Sequence, residues 1–102
     1  MKWGLAPEKI AVISKVFEAF PQIQEVVLYG SRALGTFKPG SDIDFTLKGE
    51  DLDLHTLHQI ATRLDDLLLP YTFDLSVYSQ INSAELLDHI QRVGQRFYPL
   101  PR

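Results

Sequence analysis

The sequence contains no cysteine, which excludes a disulfide framework, a thiolate nucleophile and a cysteine-ligated zinc site. It has no apolar run that approaches ~18 residues and no apolar core of a signal peptide near its start, so we expect neither a membrane span nor a secretory leader. These absences are compatible with a reducing compartment. We therefore expect a cytoplasmic protein.

The sequence also has fewer basic than acidic residues. Ten Lys and Arg stand against 13 Asp and Glu, which gives a net charge of −3. A dedicated DNA- or RNA-binding module usually carries a basic face, so we expect no direct nucleic-acid binding. The length of 102 residues predicts one domain over 1–102, and a core of that size would gain stability from a partner subunit.

Apolar periodicity predicts seven elements in the order α-β-α-β-α-β-α. The predicted helices cover 7–20, 31–35, 54–69 and a last segment from 82 or 83 through Phe97, and the predicted strands cover 25–29, 42–48 and 72–78. Strict alternation in the second and third strands separates an apolar face from a polar one. We predict an α/β (α+β) fold, with a small mixed sheet of three or more strands, helices on one face and a polar opposite face.

A Gly-Ser turn follows the first predicted strand. Gly30 has no Cβ, so an anion can approach the backbone closely, and Ser31 adds a hydroxyl at the start of a helical turn whose N–H groups attract anions. Arg32 and Lys38 are near enough in sequence to help neutralise a polyphosphate. The alternative is an ordinary strand-to-helix turn with a glycine and a capping serine.

Three aspartates share the polar face of the predicted sheet. Asp42 and Asp44 are two apart on one strand, about 6.6 Å from each other, and Asp74 has the same outward register on the next. Aspartate is disfavoured in strands, and neighbouring carboxylates repel one another unless a cation is present. The pattern therefore predicts a site for two magnesium ions, with a merely solvated sheet face as the alternative.

The combined pattern resembles a known family. Gly30-Ser31, ten further residues and Asp42-x-Asp44, with a later strand aspartate, resemble the nucleotidyltransferase superfamily that includes DNA polymerase beta. The longer pattern Gly-Ser-Arg-Ala-Leu-Gly followed by Ser-Asp-Ile-Asp-Phe resembles the minimal nucleotidyltransferases (MNT), small bacterial and archaeal proteins paired with HEPN-domain partners. Where that family often has a basic residue, this chain has Leu34, which removes one expected phosphate contact.

The resemblance implies a polymerase beta-like fold and a residue-by-residue assignment. Gly30 and Ser31 would hold the β- and γ-phosphates of ATP, Asp42 and Asp44 would bind two magnesium ions, and Asp74 would complete the catalytic metal site. AMP would pass to a hydroxyl, with pyrophosphate leaving. The implied acceptor is a tyrosine of a HEPN ribonuclease toxin, so the chain would be an antitoxin that acts by adenylylation.

Two other functions are compatible with the sequence. One is a non-catalytic antitoxin or regulatory subunit that acts by binding alone, and the other is a small-molecule nucleotidyltransferase subunit of the aminoglycoside-modifying type. The intact aspartates favour an enzyme over a pure binder, because binding requires no magnesium site. The short chain favours an acceptor supplied by a partner, which allows a hetero-oligomer.

Overall fold

The computed structural model describes residues 1–100 and has four α-helices and four strands in that range. The helices are α1 (Pro7–Glu18), α2 (Ser31–Leu34), α3 (Leu54–Asp65) and α4 (Ala84–Val93), and the strands are β1 (Glu25–Tyr29), β2 (Ile43–Lys48), β3 (Phe73–Val77) and β4 (Gln95–Tyr98). The mixed α+β class and the order of the first seven elements are confirmed. None of the described helices is long and apolar enough to cross a membrane.

The strand order β3-β2-β1-β4 determines where the predicted site lies. Strand β2 runs antiparallel to β1 and parallel to β3, and α3 supplies the crossover that a parallel pair requires. The start of β2, the start of β3 and the end of β1 therefore lie at one edge of the sheet. The Gly-Ser turn follows β1 at this edge, and the aspartates lie at the beginnings of the other two strands.

The main core lies between one face of the sheet and the helices α1 and α3. Phe45, at the centre of β2, is fully buried, and its ring centroid lies 5.4 Å from that of Phe17 and 4.7 Å from that of Phe97. Ile43 and Leu47 are fully buried in the same cluster. The inward side chains of β2 are thus those that the alternation predicted.

The prediction that helices cover only one face of the sheet is wrong. Helix α4 packs on the opposite face, where Ile90 forms a second buried cluster with Val27 and Tyr29 of β1. The cause lies in β1, whose residues after Glu25 are apolar on both faces. A strand of this kind must be covered on both sides, and α4 covers the side that the alternation of β2 and β3 suggested was polar.

The last helix is also shorter than predicted. It ends at Val93, and the following residues form β4, which pairs with β1. A Cβ at Gly94 would collide with the carbonyl oxygen of Ile90 and the side chain of Val27, so the chain can turn closely only because this residue is glycine. Phe97, which fits the spacing of the helical stripe, lies in the main core from β4 instead.

Candidate active site

The structure brings two of the predicted aspartates into register. Asp44 of β2 pairs with Asp74 of β3, and neighbouring strands are about 4.8 Å apart. On its other side Asp44 pairs with Tyr29, the residue before the Gly-Ser turn. Asp42 precedes the first residue of β2. Asp44 is half-buried, whereas Asp42 and Asp74 are exposed.

The Gly-Ser turn is in direct contact with this pair. Gly30 has φ 77° and ψ −156°, a backbone region that is essentially restricted to glycine. A Cβ at this position would collide with the Asp44 Oδ2 atom. The missing side chain thus lets the carboxylate lie against the turn, and half-buried Ser31 begins α2 directly beside it.

Negative charge accumulates at Asp44. The pKa of its carboxyl is raised from 3.8 to about 6, first by burial and then by the charges of Asp74 and Asp42 and a hydrogen bond with Asp74, against the opposing effect of nearby His89. Burial also raises the pKa of the Tyr29 hydroxyl, and Asp74 and Asp44 add to that effect. Crowded carboxylate oxygens are the donor set that a hard divalent cation prefers.

The carboxylates of this site have the donor chemistry of a divalent cation site, but their side chains are not yet arranged as a set of ligands. Within residues 1–100, no three acidic or histidine side chains already stand at the spacing of metal ligands. Asp42 and Asp74 are exposed, so a metal would have to draw their side chains towards Asp44. The metal would therefore complete the site as it binds.

Replacing Asp44 with asparagine is expected to relieve repulsion in the metal-free protein. The folded-state pKa of about 6 lies above the ordinary value of 3.8, so the folded protein binds this proton more tightly and loses stability as the pH rises through that interval. With a chelator present, Asp44→Asn should leave Tm unchanged or raise it by up to about 5 °C at pH 7.5, with little difference at pH 4. A variant that melts several degrees lower at pH 7.5 would contradict this.

His89, which sequence reasoning did not single out, also reaches the turn. Its Nε2 atom accepts a hydrogen bond from the Gly30 N–H at 3.1 Å, and its half-buried ring lies edge-on to the ring of Tyr29, with centroids 6.1 Å apart. The signal in the sequence was weak. A histidine beside buried Ile90 on α4 belongs to no motif, and 59 positions separate it from Gly30.

The two predicted basic residues, Arg32 and Lys38, differ in their surroundings. Arg32 is only 3% exposed, and its guanidinium has three hydrogen bonds to backbone carbonyls. It donates to the carbonyl oxygen of Ser41 at 2.9 and 3.2 Å and to that of Trp3 at 2.9 Å, and it lies 5.0 Å from the ring of Tyr71. Lys38 is exposed on the following loop. Phosphate binding by these two residues stays a prediction, and the contacts of Arg32 favour a structural role.

Arg32→Lys should therefore affect stability more than nucleotide binding. Lysine keeps the positive charge but cannot make the forked contact with Ser41. We expect the free energy of unfolding to fall by about 1–2 kcal/mol, which corresponds to a decrease in Tm of roughly 5–15 °C. The Kd for ATP, measured by calorimetry well below Tm, should change by less than about threefold. A large loss of ATP affinity at an unchanged Tm would instead assign Arg32 to the phosphates.

Comparison with known proteins identifies the class of protein that this fold and site define. The chain matches the family model described as "Polymerase beta, Nucleotidyltransferase" over residues 11–99. The chain therefore belongs to the polymerase beta nucleotidyltransferase family, and the prediction of a nucleotidyltransferase is confirmed. No curated protein sequence matches it significantly.

Solved structures of toxin–antitoxin pairs share the fold. A crystal structure of a toxin–antitoxin with AMP-PNP has a TM-score of 0.73 and 26% identity, covering 89% of this chain and 73% of that one. The toxin–antitoxin MntA–HepT has a TM-score of 0.68, 22% identity and coverage of 93% and 74%.

A third structure contains the tri-AMPylated Shewanella oneidensis HEPN toxin in complex with MNT antitoxin. Its TM-score is 0.62 at 22% identity, covering 91% of this chain and 69% of that one. The two matches at 22% identity concern the fold alone. At the level of the fold, these structures confirm the resemblance to minimal nucleotidyltransferases.

Proposed function

We propose that this protein transfers AMP from ATP to a tyrosine hydroxyl of a HEPN ribonuclease toxin and so acts as its antitoxin. The observation that carries the proposal is the contact between the Asp44 carboxylate, in register with Asp74, and the Gly30-Ser31 turn. In a chain of the nucleotidyltransferase family, carboxylates beside such a turn support the assignment of the turn to the phosphates of ATP. Similar folds occur in structures with AMP-PNP and with an AMPylated toxin.

Different residues would bind the phosphates of ATP and the magnesium ions. Ser31, with its hydroxyl and its N–H at the start of α2, would meet the β- and γ-phosphates, and Gly30 allows the close approach. Asp42, Asp44 and Asp74 would hold two magnesium ions. Bound magnesium would neutralise charge on the triphosphate and polarise the α-phosphate.

The acceptor hydroxyl would enter beside Asp74, which is exposed next to Asp44. The oxygen of the acceptor hydroxyl forms a bond to the α-phosphorus, and the proton of the hydroxyl passes to the Asp74 carboxylate. The bond between the α-phosphorus and the oxygen that bridges it to the β-phosphorus breaks, which releases pyrophosphate. Docking of the partner supplies the orientation of the hydroxyl. The phosphate charge and the bulk of the attached AMP would then obstruct a ribonuclease site.

Isotope placement tests this reaction. The protein and its HEPN partner are incubated with magnesium and ATP that carries the label on either the α- or the γ-phosphorus. Label should enter the partner from the α-position only, and a partner with its acceptor tyrosine changed to phenylalanine should stay unlabelled. Transfer of the γ-label would indicate a kinase. Transfer of neither label to a folded HEPN partner that retains its acceptor tyrosine would overturn the proposal.

A further inference from the structure

We propose that His89 is a positioning residue that holds the phosphate-binding turn in the conformation needed for nucleotide transfer. The inference rests on the proposed function, because it assigns a role within the same site. His89 belongs to α4, on the face of the sheet opposite the main core. None of the predicted motifs includes it.

His89 and Gly30 are in direct contact. The Nε2 atom of His89 accepts a hydrogen bond from the Gly30 N–H at 3.1 Å. Only a neutral imidazole with its proton on Nδ1 can accept in this way. Because the imidazole engages this N–H, the contacts to phosphate fall on Ser31, and the amide of Gly30 serves to orient the turn.

The imidazole ring of His89 is held in place by packing. His89 packs edge-on against Tyr29, with an angle of 79° between the ring planes, and Tyr29 is only 7% exposed. The next residue on the helix, Ile90, is 4% exposed in the second cluster and anchors α4 to β1. The position of the imidazole that contacts Gly30 is thus fixed by Tyr29 and by the packing of α4 on β1.

The contact between His89 and Gly30 lies next to the proposed reacting groups. Gly30 lies in a backbone region that only glycine adopts readily. The N–H that His89 engages belongs to the peptide between Tyr29 and Gly30, so the hydrogen bond opposes rotation of the peptide from which the chain continues into Ser31 and α2. The Asp44 carboxylate lies against the same residue. His89 would therefore position both the phosphate-binding hydroxyl and the central carboxylate without touching the substrate.

Three variants separate this role from a general effect on folding. His89→Ala removes the acceptor, whereas the Oε1 atom of a glutamine in His89→Gln can reach a position close to that of Nε2. His58→Ala is the matched control, because His58 is exposed on α3. We expect kcat/KM for ATP to fall about 10-fold in His89→Ala, to stay within about threefold in His89→Gln and to remain unchanged in His58→Ala.

A second measurement does not depend on turnover. NMR hydrogen exchange of the Gly30 amide, without nucleotide, should show protection in the parent and in His89→Gln and a loss of protection in His89→Ala. The Kd of AMP-PNP with magnesium should rise about 2- to 12-fold in His89→Ala, the factor that corresponds to one net hydrogen bond.

The possible results have separate meanings. If the parent transfers AMP and His89→Ala matches it in kcat/KM and in AMP-PNP affinity, the positioning role is wrong. Equal impairment of the alanine and glutamine variants, with the Gly30 amide protected in both, also overturns it. If the parent itself neither binds AMP-PNP nor transfers AMP, the proposed function fails, and a lost amide protection in His89→Ala would leave His89 with a structural role only.

Discussion

The double substitution Asp42→Ala/Asp44→Ala is expected to reduce AMP transfer to the partner by at least about 10³-fold. Removing a single preorganised electrostatic group from an active site typically costs 10²–10³ in rate, and this variant removes two of the three carboxylates proposed to hold magnesium. It should still fold, because burial and the neighbouring charges of Asp74 and Asp42 raise the pKa of Asp44, so the ionised carboxylate does not stabilise the fold. The measurement is the initial rate of α-label transfer, together with Tm.

The control removes the same charge elsewhere. Asp65→Ala/Asp66→Ala changes two exposed aspartates at the end of α3, so it alters the net charge equally and leaves the site intact. This control should transfer AMP at close to the parent rate. Equal activity in the site variant and the control would show that Asp42 and Asp44 do not take part in the reaction.

Gly30→Ala is expected to abolish transfer and to destabilise the fold. The backbone region of Gly30 costs other residues about 1–3 kcal/mol, and the added Cβ would collide with the Asp44 carboxylate. We expect Tm to fall by roughly 5–20 °C. The collision would displace Asp44 from the turn, so activity measured well below Tm should also be lost, by at least about 10²-fold.

Gly35→Ala is the matched control for this prediction. Gly35 also has a positive φ, 84°, but a Cβ there would meet no atom within 4 Å. The Tm of Gly35→Ala should fall less than that of Gly30→Ala, and its transfer activity should be close to that of the parent. If the two alanine variants lose activity to the same extent, the strain of the backbone rather than the contact with Asp44 explains the effect.

Local patterns were sufficient to predict most of the elements and the register of the site. Strand β1 has the predicted bounds 25–29, and the alternation of β2 and β3 placed Asp44 and Asp74 on one face because side chains alternate strictly along a strand. The Gly-Ser turn could be placed beside them from the order of the elements.

Features that depend on long-range contacts were missed. The spacing of Val93 and Phe97 fits a helix, and only the pairing of residues 95–98 with β1 makes them a strand. The hydrogen bond of His89 joins residues that are 59 positions apart in the sequence, and no periodic pattern of residues indicates it. The burial of Arg32 likewise follows from the folded positions of Trp3 and Ser41, which no spacing in the sequence encodes.

The central claim is that a HEPN partner becomes covalently modified with AMP. The most direct measurement is the intact mass of the partner purified after co-expression with this protein. We predict one or more added AMP groups with the parent and an unmodified partner with Asp42→Ala/Asp44→Ala. A partner that is never modified, yet is bound and inhibited equally by the parent and by the double variant, would contradict this claim and would identify an antitoxin that acts by binding alone.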